Sequence, residues 1–266
     1  MSDSAQPLVT VVTIAYNAKA YIEETLNSVL GQHYAHLEYV VIDGGSTDGT
    51  LSILREYADR ITSWVSEKDQ GMYDAMNKGI AMATGGVIGI LNSDDTYMTN
   101  YVVSKMMQAL TAAQADVVFA DLILVDQHHP EKVLRYYDSG NFKPSKFRYG
   151  WMPAHPTVFI RKPIYDAVGP FVTDYKIAAD YEMLIRVLAV HAASYCYVAK
   201  PIVRMRSGGA STAGWSRNWI LNQEIVRACR ANGIQTNMGL LLLKIPAKLW
   251  GAILGRFGKA AKVSLH

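Results

Sequence analysis

Val87-Ile-Gly-Ile-Leu-Asn-Ser-Asp-Asp95 is the stretch of sequence that decides the fold. Its first five residues form an apolar run that predicts a buried strand, and helical spacing follows over Thr99–Ala113. Two adjacent carboxylates at the end of a buried strand repel each other and are poorly solvated, so a divalent cation shared with a phosphate is expected beside them. The alternative at this point is that Asp94 or Asp95 caps the following helix.

Strand-like and helix-like segments alternate before this stretch. Strands are predicted over Leu8–Ala15, Leu37–Ile42, Ile61–Val65 and Val87–Leu91, with helices over Ala20–Leu30, Leu51–Ala58 and Met72–Ala83. This alternation predicts a doubly wound, mostly parallel α/β sheet, whose ligands bind beyond the carboxyl ends of the strands. The polar loops Tyr16-Asn17, Asp43–Asp48 and Asn92–Asp95 fall at such ends. Three polar loops on one rim predict a ligand site.

The pattern is less regular after the acidic stretch. Asp116–Val125 reads as a strand, and the polar and aromatic segment Asp126–Gly150 has no clean period, which is typical of a substrate-facing excursion. An amphipathic helix is predicted over Ile177–Leu188, with two short strands at Tyr195–Val198 and Ile202–Met205. We therefore predict one α/β domain over residues 1–212 and a helical region over residues 213–266.

Charge is divided unevenly along the 266 residues. Residues 1–199 carry 15 Lys and Arg against 22 Asp and Glu, whereas residues 200–266 carry 11 Lys and Arg and a single acid, Glu224. Half of the residues are apolar, which excludes a disordered chain, and no window of 18 apolar residues predicts a membrane span. The two cysteines lack metal-ligand spacing. A basic C-terminal region indicates an anionic partner.

The last part of the chain has the pattern of an interfacial amphipathic helix. Its basic residues share one arc of a helical wheel and its large apolar residues share the opposite arc. The two sets are Lys244, Lys248, Arg256, Lys259 and Lys262, and Leu242, Leu249, Trp250, Ile253, Leu254 and Phe257. This pattern predicts peripheral binding to an anionic membrane surface, with packing on the protein itself or on a second subunit as the alternative. The apolar arc and the acidic sheet rim argue against a nucleic-acid binder.

Five motifs stand in an order that carries a family resemblance. They are Thr13-Ile-Ala-Tyr-Asn17, Asp43-Gly-Gly-Ser-Thr-Asp-Gly-Thr50, Asp69-Gln-Gly-Met-Tyr-Asp-Ala-Met-Asn-Lys-Gly79, Asn92-Ser-Asp-Asp95 and Ala179-Asp-Tyr-Glu182. Together they resemble a family 2 glycosyltransferase with the GT-A fold, of the inverting type that builds bacterial surface polysaccharides. The resemblance covers about residues 7–212.

The resemblance assigns nucleotide-sugar contacts to the first four motifs. It implies that Asp43 accepts a hydrogen bond from the uracil imide, the alternative being a turn residue that bonds its own backbone. Base and ribose contacts, donor contacts and metal contacts are implied for three further sets of residues. They are Thr13, Ala15, Tyr16 and Asn17 for the base and ribose; Asp69 and Asn92 for the donor; and Asp94 and Asp95 for Mn²⁺ or Mg²⁺, with Asp94 also near the donor.

The last motif supplies the candidate catalytic residue. The resemblance implies that Asp180 removes the proton from the acceptor hydroxyl, with a helix cap as the alternative, while Glu182 is left open between a functional role and an ion pair with Arg186. His155 and Arg206 are secondary candidates for phosphate or acceptor contacts.

These features together predict a metal-dependent inverting glycosyltransferase. The expected donor is a UDP-sugar, and the expected acceptor is a polyprenyl-diphosphate-linked saccharide at the cytoplasmic face of the cell membrane. The alternatives are a nucleotidyltransferase and a non-catalytic, membrane-associated protein that binds nucleotide sugars.

Overall fold

The computed structural model describes residues 6–208 and 215–242. Their strands form one nine-stranded mixed sheet with the order β3-β2-β1-β4-β8-β6-β9-β5, and β7 pairs with β6 on the side. The strands are β1 Val9–Ala15, β2 Leu37–Asp43, β3 Ser63–Ser66, β4 Val87–Asn92, β5 Thr96–Tyr97, β6 Val117–Val125, β7 Val133–Tyr137, β8 Phe159–Arg161 and β9 Tyr195–Arg206. The α-helices are α1 Ile22–Leu30, α2 Thr50–Glu56, α3 Met72–Met82, α4 Val102–Ala112, α5 Lys162–Val168, α6 Ala179–Ile185, α7 Trp215–Ala231 and α8 Met238–Leu242.

The first half of the sheet is parallel, as its sequence pattern predicts. β1 pairs in parallel with β2 and β4, and β2 pairs in parallel with β3. β1 is buried along its whole length, which suits its run of β-branched Val, Thr and Ile residues. Gly79 lets α3 lie close on β1, since a Cβ at this position would stand 2.2 Å from a methyl carbon of Val12. Because these neighbouring strands are parallel, their carboxyl ends lie side by side, and the loops that follow them share one rim of the sheet.

The second half of the sheet is mixed. β8 pairs antiparallel with β4 and β6, whereas β9 runs parallel to β6. The predicted pair of strands at Tyr195–Val198 and Ile202–Met205 is one continuous strand, β9, which bulges around Pro201. The segment Asp126–Gly150 is more regular than its sequence indicates, because it contains β7 and a 3₁₀ helix over Pro144–Tyr149.

Helices cover both faces of the sheet. One apolar core lies between the sheet and α1 and α4, and the other packs α3, α6 and α7 on the opposite face. In the second core, Ile225 and Cys229 of α7 and Leu241 of α8 belong to the same cluster as Val12 of β1. The predicted boundary after residue 212 therefore separates elements that share one core.

The basic amphipathic segment predicted at the end of the chain lies outside the described residues from position 243 onward. In the described part, no helix is long and apolar enough to cross a membrane.

Candidate active site

A cavity of about 710 Å³ opens at the carboxyl ends of β1 and β4, against the start of α6. It brings together loops that lie far apart in the sequence. Of the predicted site residues, those that line the cavity are Tyr16, Asn17, Asn92, Asp94, Asp95, His155, Asp180 and Arg206. Thr13, Ala15, Asp43 and Asp69 do not line it.

The turn after β4 forms one side of the cavity. The Asp95 amide donates to the Asn92 carbonyl over 3.1 Å, and the Thr25 hydroxyl of α1 donates to the carbonyl oxygens of Ser93 and Asp95 over 2.9 and 2.8 Å. Helix α4 starts only at Val102, after a residue that makes no side-chain cap. The helix-capping alternative for Asp94 and Asp95 is therefore wrong.

Polar atoms of this turn lack partners within the described residues. The Asn92 side-chain amide donates to Asp95 Oδ2 over 3.1 Å, but Asn92 Oδ1 and Asp95 Oδ1 are buried without any hydrogen-bond partner there. Asp95 is only 1% exposed. Leaving a buried acceptor unsatisfied costs about 1–3 kcal/mol, so these oxygens are suited to a ligand.

Electrostatics at the turn favour a cation. Burial raises the pKa of Asp95 well above its ordinary value, and the charge of Asp94 raises it further. Burial also raises the pKa of Asp94, while nearby Arg206 acts in the opposite direction. Two carboxyl groups that ionise reluctantly on their own become stable anions beside a positive ion.

Arg206, at the end of β9, is already engaged by the protein. Its buried guanidinium pairs with Glu24 of α1, donates to the Gln127 carbonyl over 3.2 Å and lies over the Tyr21 ring at 4.9 Å from the centroid. It thus lines the cavity as a fixed positive charge.

Asp180 lies in the first turn of α6, on another wall of the cavity. Asp180 also has a local structural role, because its carboxylate accepts the Tyr181 amide in the first turn of α6 over 2.8 Å, although the N-cap residue itself is Ala178. The helix-cap alternative is therefore met in part, and the catalytic role of Asp180 stays a prediction. Burial raises the pKa of Asp180 to about 6, and the charge of Glu224 adds to this rise. A carboxylate with a pKa near the working pH is a suitable general base.

Glu182 has a structural role. Its buried carboxylate pairs with Arg186, whose Nε lies 2.9 Å from both carboxylate oxygens. Arg186 also donates to the carbonyls of Gly169 and Pro170 over 3.1 and 2.8 Å. The ion-pair alternative for Glu182 is therefore confirmed.

His155 lies in a short 3₁₀ helix and packs edge-on against Phe171. Burial lowers its pKa to about 4, so the imidazole is neutral at ordinary pH. It can offer a hydrogen bond to a ligand in the cavity, and it brings no charge to a phosphate.

The Asp43 loop is tied together by its own hydrogen bonds. The fully buried Asp43 carboxylate accepts the amides of Gly45 and Ser46 over 3.1 and 3.0 Å and the Ser66 hydroxyl over 2.7 Å. These bonds match the turn role weighed for Asp43. The uracil contact stays a prediction.

The remaining nucleotide candidates support neighbouring loops. Asn17 accepts the Thr47 amide over 2.9 Å, which ties the loop after β1 to the loop after β2. Thr13 is buried and accepts the Tyr39 hydroxyl over 3.0 Å. The Ala15 carbonyl accepts the Gly44 amide over 2.8 Å, and Asp69 lies so close to Gly44 that a Cβ there would stand 2.4 Å from its carboxylate. Tyr16 is 65% exposed at the cavity mouth.

Sequence reasoning missed several residues that line the cavity. They are mainly aromatic, aliphatic or thioether side chains around Asp180, namely Met72, Tyr73, Tyr137, Met152, Lys176, Tyr181, Leu221 and Ile225. Met72 and Tyr73 lie inside the third motif, which was a usable signal. Leu221 and Ile225 come from α7, and their helical spacing indicates only an apolar face.

The mixed sheet, the polar rim loops and the cavity between two acidic centres are consistent with a transferase of the GT-A fold. The chain belongs to glycosyl transferase family 2, whose family model matches residues 10–164. It is 24% identical to a PGL/p-HBAD biosynthesis glycosyltransferase of Mycobacterium bovis over 256 residues, which cover 95% of this chain and 94% of the relative.

Two solved structures resemble the chain in fold. The mannosyltransferase from Pyrobaculum calidifontis in complex with GDP-Man and Mn²⁺ has a TM-score of 0.62 at 19% identity, covering 94% of this chain and 81% of that one. S. aureus TarS 1–349 in complex with UDP has a TM-score of 0.61 at 20% identity, covering 83% of this chain and 64% of that one. These likenesses support the GT-A fold of this glycosyltransferase.

Proposed function

We propose that this chain is an inverting, divalent-metal-dependent glycosyltransferase that transfers a sugar from a UDP-sugar to a lipid-linked saccharide in cell-surface polysaccharide biosynthesis. The observation that carries the proposal is one cavity with two acidic centres of different character. Asp94 and Asp95 stand on one side, where Asn92 Oδ1 and Asp95 Oδ1 have no hydrogen-bond partner among the described residues, and Asp180 stands on another with a pKa of about 6.

The turn after β4 fits a hard divalent ion. Asp94 and Asp95 would hold it, and the Asn92 side-chain oxygen would face it or its bound water, since carboxylate and amide oxygens are what Mg²⁺ and Mn²⁺ prefer. The described residues contain no group of three or more His, Cys, Asp or Glu side chains suited to a metal. The donor diphosphate would therefore complete the coordination. When bound, the ion supplies positive charge that stabilises the departing nucleoside diphosphate.

Asp180 performs the proton transfer in the proposed reaction. As a carboxylate it accepts the proton of the acceptor hydroxyl while the acceptor oxygen forms a bond to the anomeric carbon. The bond from that carbon to the diphosphate oxygen breaks on the opposite side, and the configuration inverts. Burial beside the aromatic and apolar side chains of the cavity raises the carboxyl pKa towards the working pH.

The rim loops support a nucleotide donor. The loops after β1 and β2 are locked to each other through Asn17, and Tyr16 stands exposed at the cavity mouth, where a base can stack on it. TarS is seen with UDP and the archaeal mannosyltransferase with GDP-Man. We assign UDP here because the Asp43 motif resembles the uracil-binding form.

The acceptor assignment rests on the basic C-terminal region. Residues 200–266 carry 11 Lys and Arg against the single acid Glu224, which favours an anionic surface such as the cytoplasmic face of the cell membrane. A polyprenyl-diphosphate-linked saccharide would be presented at that surface. A nucleotidyltransferase and a non-catalytic sugar-nucleotide binder are the competing functions, and the family match favours transfer of a sugar.

A donor panel tests the proposed function. The purified chain is incubated with UDP- and GDP-sugars, with Mn²⁺, Mg²⁺ or EDTA, and release of the nucleoside diphosphate is measured. We expect turnover of a UDP-sugar that requires the metal and stops with EDTA. Turnover that persists in EDTA would contradict the metal assignment, and turnover of GDP-sugars alone would contradict the UDP assignment.

A further inference from the structure

One carboxylate outside the five motifs holds the loop that leads to Asp180. Glu224 of α7 is 9% exposed and accepts three consecutive backbone amides. The amides are those of Lys176, Ile177 and Ala178, at 2.8, 2.9 and 3.0 Å. Since α6 begins at Ala179 and Ala178 is its N-cap residue, the Glu224 carboxylate of α7 binds the N-cap amide and the two amides before it.

The same loop is held from its other side by α3. The Tyr73 hydroxyl donates to the Ile177 carbonyl over 2.5 Å, and Tyr73 lines the cavity. Ile177 is therefore fixed through its amide by Glu224 and through its carbonyl by Tyr73. This double attachment sets the backbone three residues before Asp180.

We propose that Glu224 is a positioning residue that fixes the Asp180 carboxylate for proton removal from the acceptor, an inference that rests on the proposed function. An acid here is costly, because its negative charge opposes the ionisation of a second acid at the reaction centre. A charged acceptor gives stronger hydrogen bonds to three amides than a neutral one, which accounts for a carboxylate in this place. Glu224 is also the only acid beyond residue 199.

The charge of Glu224 also acts on the proton affinity of Asp180. Its Coulomb effect raises the Asp180 pKa, in addition to the larger effect of burial. The other titratable groups around Asp180 are Tyr73 of α3, Tyr137 of β7, Tyr181 of α6, Lys176 of the loop and His155 across the cavity. The three tyrosines have raised pKa values and His155 a lowered one, so these four groups stay neutral between pH 5 and 8. Loss of the negative charge at position 224 must therefore lower the Asp180 pKa.

Two substitutions separate the reach of the side chain from its charge. Glu224→Gln keeps the shape and one acceptor oxygen but removes the charge, and Glu224→Asp keeps the charge but shortens the side chain by one methylene. We expect both to lower kcat on the order of tenfold or more, while the donor Kd stays within about twofold, because misplacement affects the reaction and not donor binding. We expect only Glu224→Gln to move the acidic limb of the kcat–pH profile to lower pH.

Glu38 provides a matched control. Its buried carboxylate also accepts backbone amides, those of Thr84 and Gly85 at 2.8 and 3.3 Å, but it does not line the cavity. Glu38→Gln should lower the melting temperature and leave kcat and its pH profile unchanged.

The outcomes distinguish the inference from the proposed function. Asp180→Asn is measured in parallel, and transfer that survives this change overturns the proposed function itself. Transfer that fails in Asp180→Asn but proceeds in Glu224→Gln with wild-type kcat and pH profile overturns only the positioning role. An equal loss of kcat in Glu224→Gln and Glu38→Gln would also overturn it, because it would reduce the effect to general destabilisation.

Discussion

Replacing Asp180 by Asn should stabilise the protein while it stops transfer. Burial in the folded protein raises the pKa of the Asp180 carboxyl to about 6, from an ordinary value of 3.8. Each pKa unit corresponds to about 1.4 kcal/mol, so ionisation of this group costs the folded state at most about 3 kcal/mol at neutral pH. Asn is isosteric, cannot ionise, and can still accept the Tyr181 amide. Allowing for partial solvent screening, we expect a gain of about 1–3 kcal/mol in the free energy of unfolding at pH 7.5.

The sign of the pH dependence follows from the raised pKa. The carboxyl is neutral in both the folded and the unfolded state below its unfolded pKa, so the variant has no advantage there. The advantage grows as the pH rises from 3.8 towards about 6, and it is constant above that range. Urea denaturation of both proteins at pH 4 and pH 7.5 measures the difference. A variant that is less stable than the wild type at pH 7.5, or a difference in stability that does not change with pH, would show that ionisation of Asp180 does not destabilise the folded state.

Three further perturbations test other parts of the site. Asp95→Asn removes one of the two acidic groups at the turn after β4, so Mn²⁺-dependent binding of a UDP-sugar, measured by calorimetry, should weaken by roughly tenfold or more. Unchanged Mn²⁺ dependence would argue against Asp94 and Asp95 as the metal ligands. Glu182→Ala leaves the Arg186 guanidinium without its counterion, in a side chain that is only 16% exposed. Urea denaturation should therefore show a decrease of about 3–5 kcal/mol in the free energy of unfolding. A decrease below about 1 kcal/mol would be inconsistent with a stabilising ion pair. Truncation after Leu242 keeps α8 and removes the basic segment, so cosedimentation of the protein with anionic vesicles should fall. Neutral vesicles are the control and should bind little of either the full-length or the truncated protein. Equal binding of both proteins to anionic vesicles would exclude this segment as the anchor.

The regular half of the sheet could be predicted because its side chains follow a simple period. β1, β2 and β4 are rich in β-branched and other apolar residues, and each observed strand lies within one or two residues of the predicted one. β9 was divided in two because Lys200-Pro201 interrupts its pattern. The structure absorbs Pro201 in a bulge, where Ala120 pairs with Val198 and Asp121 pairs with Pro201. A local pattern cannot indicate that the partner strand tolerates such a shift.

The site was predictable where a motif follows a strand, and unpredictable where it depends on tertiary contacts. The position of Asp94 and Asp95 at the end of β4 follows from the order of strand and loop. The hydrogen bonds of Glu224 join residues 46–48 positions apart, and no local period connects them. The one sequence signal was the isolation of Glu224 in a basic region. Likewise, the sequence offered both roles for Glu182, and only the position of Arg186 against the loop after α5 decided between them.

In the proposed reaction, Asp180 is the base of a sugar transfer that takes place in this cavity. The most direct test is the single-turnover transfer rate of Asp180→Asn at saturating donor and Mn²⁺, compared with the wild type at the same pH. We expect a rate about 10²- to 10⁴-fold lower for the variant, with the donor Kd unchanged within about twofold. A transfer rate equal to that of the wild type would show that Asp180 is not the base.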